Sequence, residues 1–313
     1  QTEDSITAHQ TLVETLLATL SNSENTTEFN QNWTRIAEHF DTLFTTEHSI
    51  DQLKQTVLQL AVMGKLVPQN PNDEPASVLL EKIAAEKEQL IKDKKIKKQK
   101  PLPKITEGEK PFELPIGWEF SYLQDLCSLI TDGTHLTPQY TETGRPFISA
   151  QCVKPFKFMP DKCRYVSEDH YQNYIKNRKS EYKDVLLARV GAGIGEAAII
   201  DTDLEFAIYV STALLKPFKR FFTSEYLTLW LNSPVGRHYS EKNTLGKGVS
   251  QGNLNLSLIR TFVISIPPLP EQHHIVKKAD ELMILCDQLK FRINEAQTTQ
   301  LQLADTIIEQ AVS

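Results

Sequence analysis

The sequence predicts an α+β fold, one mixed α/β domain flanked by long helices that form an antiparallel coiled coil. Three observations predict it. A heptad seam runs along the C-terminus, helix start and stop signals recur through residues 1–100, and the stretch between changes to short β-branched and aromatic runs with turn residues between them. The boundaries read from composition are 1–100 for an N-terminal helical region, 101–115 for a linker, 116–266 for the α/β domain and 267–313 for a C-terminal coiled-coil helix.

In chain order, residues 31–44 read as a short helix. Ser49-Ile50-Asp51-Gln52 is a capping-box pattern that opens a second, with Leu53, Val57 and Leu60 on its apolar face and Gly64 and Pro68 at its end. A third starts between Asp73 and Ser77 and runs through Leu79, Leu80, Ile83 and Leu90 into the lysines at 94–98, until Pro101 and Pro103 stop it. Strands are expected at 147–153, 185–190, 197–200, 206–215 and 261–266, and helices at 167–177 and from 224 to about 242. After Pro267-Pro268-Leu269-Pro270, residues Ile275, Ala279, Leu282, Cys286, Leu289, Ile293, Ala296, Gln300, Leu303 and Ile307 recur at alternating spacings of four and three. No Gly or Pro interrupts 271–313. A continuous helix about 65 Å long follows, at ~1.5 Å per residue, and such a rod must pack on another helix.

The N-terminus supplies a partner. Leu12-Val13-Glu14-Thr15-Leu16-Leu17 matches Leu303-Ala304-Asp305-Thr306-Ile307-Ile308 in residue type, with His9 opposite Gln300. Residue 1 is Gln, not Met, and a chain that begins inside one copy of a helix and ends with another reads as the second half of a protein built twice from the same parts.

With 40% hydrophobic, 8% aromatic and 24% charged residues the composition is globular. No apolar run approaches the ~18 to 20 residues of a membrane span. The polar, acidic start lacks a signal-peptide pattern, so a cytoplasmic location is expected. Cys127, Cys152, Cys163 and Cys286 form no C-x-x-C pair, which points to free thiols and no metal site. The net charge of -6 is uneven: residues 1–50 carry eight acids and one base, residues 82–110 ten lysines and five acids, and residues 111–266 seventeen bases and sixteen acids. A polyanion could settle on the middle domain and its lysine-rich approach only.

Catalytic signals fail in context. Gly191-Ala192-Gly193-Ile194-Gly195 lies between two strands, where a dinucleotide loop needs strand, loop and helix, so a hairpin with a wide glycine turn is expected. His273 and His274 are adjacent, about 100° apart on a helix, and suit a solvated helix start. Asp132 and His135 lack a marked nucleophile, and no Asn/Asp-Pro-Pro-Tyr/Phe motif for a flipped adenine is present. No catalytic and no metal-binding residue is expected. What remains is DNA-competent side chains on loops: Thr134 and His135, Lys154 and Lys157 with Phe156 between them, Arg189, and Lys247, Gln251 and Asn253. Gln and Asn can pair bidentately with adenine, Arg and Lys with guanine, and loop lysines neutralise phosphate. Loop solvation accounts for any one of them equally; Gln251 and Asn253 could instead cap their turn, and the lysines at 94–100 could be a solvated helix end.

Several motifs resemble the specificity subunits of type I restriction-modification enzymes. They are Leu53 to Pro68 (LKQTVLQLAVMGKLVP), Leu114-Pro115-Ile116-Gly117-Trp118, Asp184 to Gly191 (DVLLARVG), Gly248 to Leu254 (GVSQGNL) and Ile266 to Gln272 (IPPLPEQ) leading into the long helix. The resemblance implies a target recognition domain at 116–266 that reads one half of a bipartite site in double-stranded DNA, without catalysis. Family members usually have two such domains; this chain has one and looks like the C-terminal half. The helices would act as spacer and as docking surface for adenine-methylating modification subunits, to which restriction subunits attach, with Ile275, Leu282, Leu289, Ile293, Leu303 and Ile307 as the coiled-coil and partner interface. S-adenosylmethionine, ATP and Mg²⁺ would belong to the partner subunits, with no cofactor in this chain, and a second half-subunit is a further expected partner. Two other classes are left open: a helical adaptor that does not itself bind DNA, and a free-standing enzyme, which activity of the purified chain alone would reveal.

Overall fold

The computed structural model describes residues 3–24, 26–246 and 252–312. They divide into two compact units, one of residues 1–61 and 277–313, the other of residues 62–276. The helices are α1 (Glu3–Asn22), α2 (Thr26–Glu38), α3 (Phe40–Leu43), α4 (Glu47–Val62), α5 (Ala76–Lys92), α6 (Leu123–Leu126), α7 (Glu168–Ile175), α8 (Ser224–Asn232), α9 (Pro234–Lys242), α10 (Leu256–Ile259) and α11 (Leu269–Val312). Among the described residues no helix is long and apolar enough to cross a membrane. Cys127, Cys152, Cys163 and Cys286 are free thiols.

The first unit is helical. α1 packs on α2 and buries Val13, Leu17 and Leu20, while Asn32 donates to Thr19 O at 3.3 Å and to Ser23 Oγ at 3.1 Å. The capping box of α4 lies three residues before the expected Ser49–Gln52 pattern. Ser49 N–H donates to Thr46 Oγ1 at 3.1 Å and Thr46 N–H to Ser49 Oγ at 3.2 Å, so a serine takes the place the motif usually gives to Glu or Gln. α4 and α11 run antiparallel. Lys54 pairs with Asp287, Lys290 with Asp51 at 3.0 Å and Glu47 at 3.1 Å, and Asn294 donates to Glu47 Oε1 at 2.6 Å. The Asn294 bond, with Lys290 beside it, holds the Glu47 carboxyl below its usual pKa.

The expected seam is therefore not one surface. Ile275 is buried inside the second unit; Ala279 and Cys286 are buried and Leu282, Leu289 and Ile293 half-buried on the stretch that pairs with α4; Leu303 and Ile307 are 61% and 57% exposed. A single chain covers its own seam as far as Asn294, because α4 is only sixteen residues long.

Among the described residues, the strands all lie in the second unit. β2 (Cys127–Asp132), β11 (Thr212–Pro217), β8 (Val185–Ala188) and β9 (Ala197–Ile199) form one antiparallel sheet in the order β2-β11-β8-β9. β10 (Ala207–Ile208), β4 (Arg145–Ile148), β7 (Arg164–Val166) and β3 (Tyr140–Thr141) form the other, with β10 and β4 parallel. The strand expected at 206–215 is therefore two strands, in different sheets, joined at a corner by Tyr209–Ser211. Ile148, Ile208, Leu186, Ala188, Ala198 and Leu214 meet in one core between the sheets, together with Val153 and Phe158 of the hairpin β5 (Val153–Lys154) and β6 (Lys157–Phe158). The alternate residues Phe147 and Ala207 pack with Tyr171 and Tyr174 of α7, as the two-residue period of a strand requires. α8 packs on β8 and β9. Asn232 of α8 completes the edge of β9, accepting from Ala197 N at 3.1 Å and donating to Ala197 O at 2.9 Å. The helix expected from 224 to 242 breaks at Ser233, which caps Gly236 N–H at 3.2 Å, with Pro234 as first residue of α9.

The start and end of this unit are tied together. β1 (Glu119–Tyr122) pairs antiparallel with β14 (Val263–Ile266). Gly64 adopts φ +72, and a Cβ there would meet Pro115 Cγ at 2.4 Å, so the chain leaving α4 can lie on Pro115 only as glycine. Trp118 Nε1 donates to Glu271 Oε2 at 3.0 Å, and Gln69 donates to the other Glu271 oxygen at 3.2 Å and to Gly64 O at 2.6 Å. Gln272 accepts from Thr223 N at 2.9 Å and donates to Phe221 O at 3.0 Å. Burial pushes the Glu271 carboxyl above its usual pKa, against these bonds. Three of the quoted motifs, Met-Gly-Lys-Leu-Val-Pro, Leu-Pro-Ile-Gly-Trp and Pro-Pro-Leu-Pro-Glu-Gln, thus form one structural knot. The segment expected as a linker belongs to the same unit: Gln124 holds Lys100 O at 3.0 Å, and Phe112 lies 5.7 Å from Phe120 between ring centres.

Candidate nucleic-acid interface

At one end of the β2-β11-β8-β9 sheet the loops after β2, β8 and β10 meet β13 (Asn253–Leu254), the partner of β12 (Thr244–Leu245). Arg189 ties them together. Its Nη1 donates to Asp132 Oδ2 and to Val210 O at 3.0 Å, its Nε to Leu254 O at 2.8 Å, and its Nη2 to Asn253 Oδ1 at 3.4 Å. Its backbone is held on both sides, by Ser211 O at 2.8 Å and by Leu254 N at 2.9 Å. Arg189 is 5% exposed. A buried guanidinium with Nε, Nη1 and Nη2 all engaged is spent within the chain, so the expectation that it reaches guanine does not fit its position.

Thr134 is also buried. It bridges to Tyr209, its N–H donating to Ile208 O at 3.1 Å and its carbonyl accepting from Val210 N at 3.1 Å, and its hydroxyl caps Leu136 N–H at 3.2 Å. Its role is to fix the turn in which His135 stands exposed, Nε2 3.0 Å from Asp132 Oδ2. Arg178, which sequence reasoning did not single out, donates to Asp132 O at 3.0 Å. No local signal marks it; only the fold brings the end of α7 to this turn.

The second loop is the β5–β6 hairpin. Lys154 and Lys157 face each other in register, both exposed, around Pro155 and Phe156. Phe156 has φ +62, a left-handed conformation that favours glycine, yet its side chain is 48% exposed. Phe156 N–H donates to Ala197 O at 2.9 Å, and Lys154 pairs with Glu196 at 3.4 Å, which fastens this tip to the Gly191–Gly195 turn. That turn is the expected hairpin, with Gly195 N–H on Ala188 O at 2.9 Å and Gly191 and Gly195 at φ +95 and +84.

In the third loop Asn253 is exposed, with its Oδ1 against Arg189. Val190 bridges to it. Lys247 and Gln251 lie outside the described residues. The fold therefore sets His135 and Asn253 as exposed polar side chains beside buried Thr134 and Arg189, with exposed Lys154 and Lys157 on a hairpin fastened to Glu196 and Ala197.

The comparisons with known proteins agree with this architecture. The model of the type I restriction modification DNA specificity domain matches residues 115–298. The chain is 42% identical to the type I restriction enzyme EcoAI specificity subunit of Escherichia coli and 39% identical to the EcoEI specificity subunit of the same organism, over 100% of this chain and 53% and 54% of those proteins. A solved chain from work on complex assembly and conformational transition of the type I R-M system shares the fold at TM-score 0.50 and 19% identity, over 75% of this chain and 56% of that one. The chain belongs to the family of type I restriction modification DNA specificity domains. It spans about half the length of the two specificity subunits.

Proposed function

We propose that this chain reads one half of a bipartite site in double-stranded DNA for a type I restriction-modification system. It does so without catalysis, and the modification subunits, with the restriction subunits attached to them, dock on its helices. The observation that carries this reading is the convergence of loops remote in sequence on Arg189, which holds His135 and Asn253 together through Asp132 and its own guanidinium, with the Lys154–Lys157 hairpin fastened to the turn that follows Arg189. Lys154 and Lys157 contact phosphates, His135 and Asn253 base edges, and Thr134 and Arg189 position them; by their residue types Gln251 would read and Lys247 attract. S-adenosylmethionine, ATP and Mg²⁺ belong to the partners. The test is duplex binding by the full chain, with a methylation-site profile of the assembled complex. Lys154→Ala with Lys157→Ala should weaken all duplexes alike, whereas Asn253→Ala and Gln251→Ala should each relax one position of the target, by about 1 to 3 kcal/mol of discrimination. A chain that bound the modification subunit and shifted no duplex at low salt would be a helical adaptor instead.

The far end of α11 carries the seam residues Leu303 and Ile307 more than half exposed. We infer that a second half-subunit covers this stripe, since an apolar heptad face left in water is unfavourable. Leu303→Asp with Ile307→Asp should then convert a dimer into a monomer in sedimentation at micromolar concentration without lowering Tm. Leu289→Asp with Ile293→Asp should lower Tm, because α4 already covers those positions. A monomeric unsubstituted chain would count against the stripe as an interface.

A further inference from the structure

α5 ends in a motif that glycine usually completes. Lys94 stands at φ +58, its N–H donating to Ile91 O at 3.0 Å, and Lys95 N–H donates to Leu90 O at 2.9 Å. The lysine run is therefore not part of the helix, which ends at Lys92 just before it. From Lys97 to Thr106 the backbone has no helix or strand and contains Pro101 and Pro103. Its partly buried residues, counted from Ile96, are Ile96, Gln99, Leu102 and Ile105. That is a repeat of three, the period of a polyproline II helix, and Gln124 fixes the middle at Lys100 O, 3.0 Å away.

A strap anchored on every third residue points its other two rows outward. One row holds Lys94, Lys97 and Lys100, the other Lys95, Lys98 and Lys104, all exposed. Within a row, neighbours three apart stand about 9 Å from each other at ~3.1 Å per residue. From residue 92 to 104 seven lysines face one acid, Asp93, in a protein of net charge -6. Lys95 pairs with Asp93 at 3.7 Å, and among the described residues no carboxylate pairs with Lys94, Lys97, Lys98, Lys100 or Lys104.

We propose that this strap is a sequence-independent track for the phosphate backbone of duplex DNA, outside the segment the loops read. The inference rests on the DNA-reading function proposed above. A linear, evenly charged partner is favoured over an acidic protein patch because the lysines form rows on a preset backbone. Duplex DNA offers one charge per ~3.4 Å along each strand, so such rows find phosphates in any register.

The test compares the full chain with a variant carrying Lys94→Gln, Lys97→Gln, Lys98→Gln, Lys100→Gln and Lys104→Gln. Duplex affinity is measured by anisotropy from 50 to 200 mM salt, on duplexes with and without the motif found in the methylation profile. The expected result is an unchanged Tm, an affinity loss equal on both duplexes, and a slope of log K against log salt shallower by ~0.9 for each phosphate no longer neutralised. Lys94→Gly alone should make the slope shallower by the ~0.9 of a single phosphate with no loss of Tm, since glycine suits φ +58. An unchanged slope in the fivefold variant overturns the proposal, as does a loss of modification-subunit binding with duplex binding intact. If Lys154→Ala with Lys157→Ala loses affinity and the strap variant does not, the strap alone is refuted; if the unsubstituted chain binds no duplex at 50 mM salt, the functional reading falls with it.

Discussion

Arg189→Met is expected to destabilise the second unit by about 3 to 5 kcal/mol, the range for removing one partner of a buried ion pair. Methionine keeps much of the aliphatic stem, so the loss falls on the charge and its bonds. Asp132 remains with its side chain 11% exposed, having lost a guanidinium and keeping only the neighbouring His135 imidazole on the same oxygen. Leu254 O and Val210 O lose their donors as well. For a unit of this size Tm should drop by about 10 °C. Asp132→Asn in the Arg189→Met background should restore part of the loss, because the uncompensated buried charge is gone. Duplex binding should weaken for every sequence alike, as three loops come loose together. If Arg189 instead read a guanine, the variant would keep its Tm and accept a changed target, and that result would sink the positioning role.

The architecture was legible where local signals and packing agree. The long C-terminal helix followed from a heptad pattern without Gly or Pro, and so did its need for a helical partner, but not which helix: the repeat at Leu12–Leu17 pointed to α1, which packs on α2, whereas α4 pairs with α11. The glycine hairpin followed from strand residues on both sides of 191–195. What failed was continuity. Residues 206–215 hold no Gly or Pro and only Ser211 and Thr212 are not apolar or aromatic, too weak a signal for the corner at Tyr209–Ser211, where Arg189 N–H reaches Ser211 O and Val210 N–H reaches Thr134 O. Ser233-Pro234 did carry a readable break, since proline fits the first turn of a helix and a serine before it caps. Lys94 was unreadable as a helix end, as left-handed lysine is uncommon.

The candidate site was legible as loops and illegible as a site. Asp132 and Arg189 are 57 residues apart in sequence, and Arg189 and Leu254 are 65 apart. A side chain's charge suggests contact with phosphate or base; burial decides that it serves the protein's own carbonyls. The motifs that carried the family resemblance are mostly the knot of Gly64, Trp118, Glu271 and Gln272, which closes the domain. They identify the fold because closure has few solutions.

That division between closure and reading gives the last expected result, which sets two glycines near the site against each other. Gly133→Ala should cost about 3 kcal/mol or more, since a Cβ there would lie 2.0 Å from Ile208 O and 2.3 Å from Ile208 C, both backbone atoms that cannot rotate away. Relief requires the turn to move off β10, which breaks the Thr134 N–H bond to Ile208 O and the Val210 N–H bond to Thr134 O. Gly191→Ala meets no atom within 4 Å, so its cost is only the strain of φ +95, about 1 to 2 kcal/mol. In urea denaturation the two midpoints should separate accordingly. At 25 °C, where both variants remain folded, Gly191→Ala should keep its duplex affinity and Gly133→Ala should lose it, because Asp132 and His135 move with the turn. Equal midpoints for the two variants would mean that the close approach of residue 133 to β10 does not hold the site together.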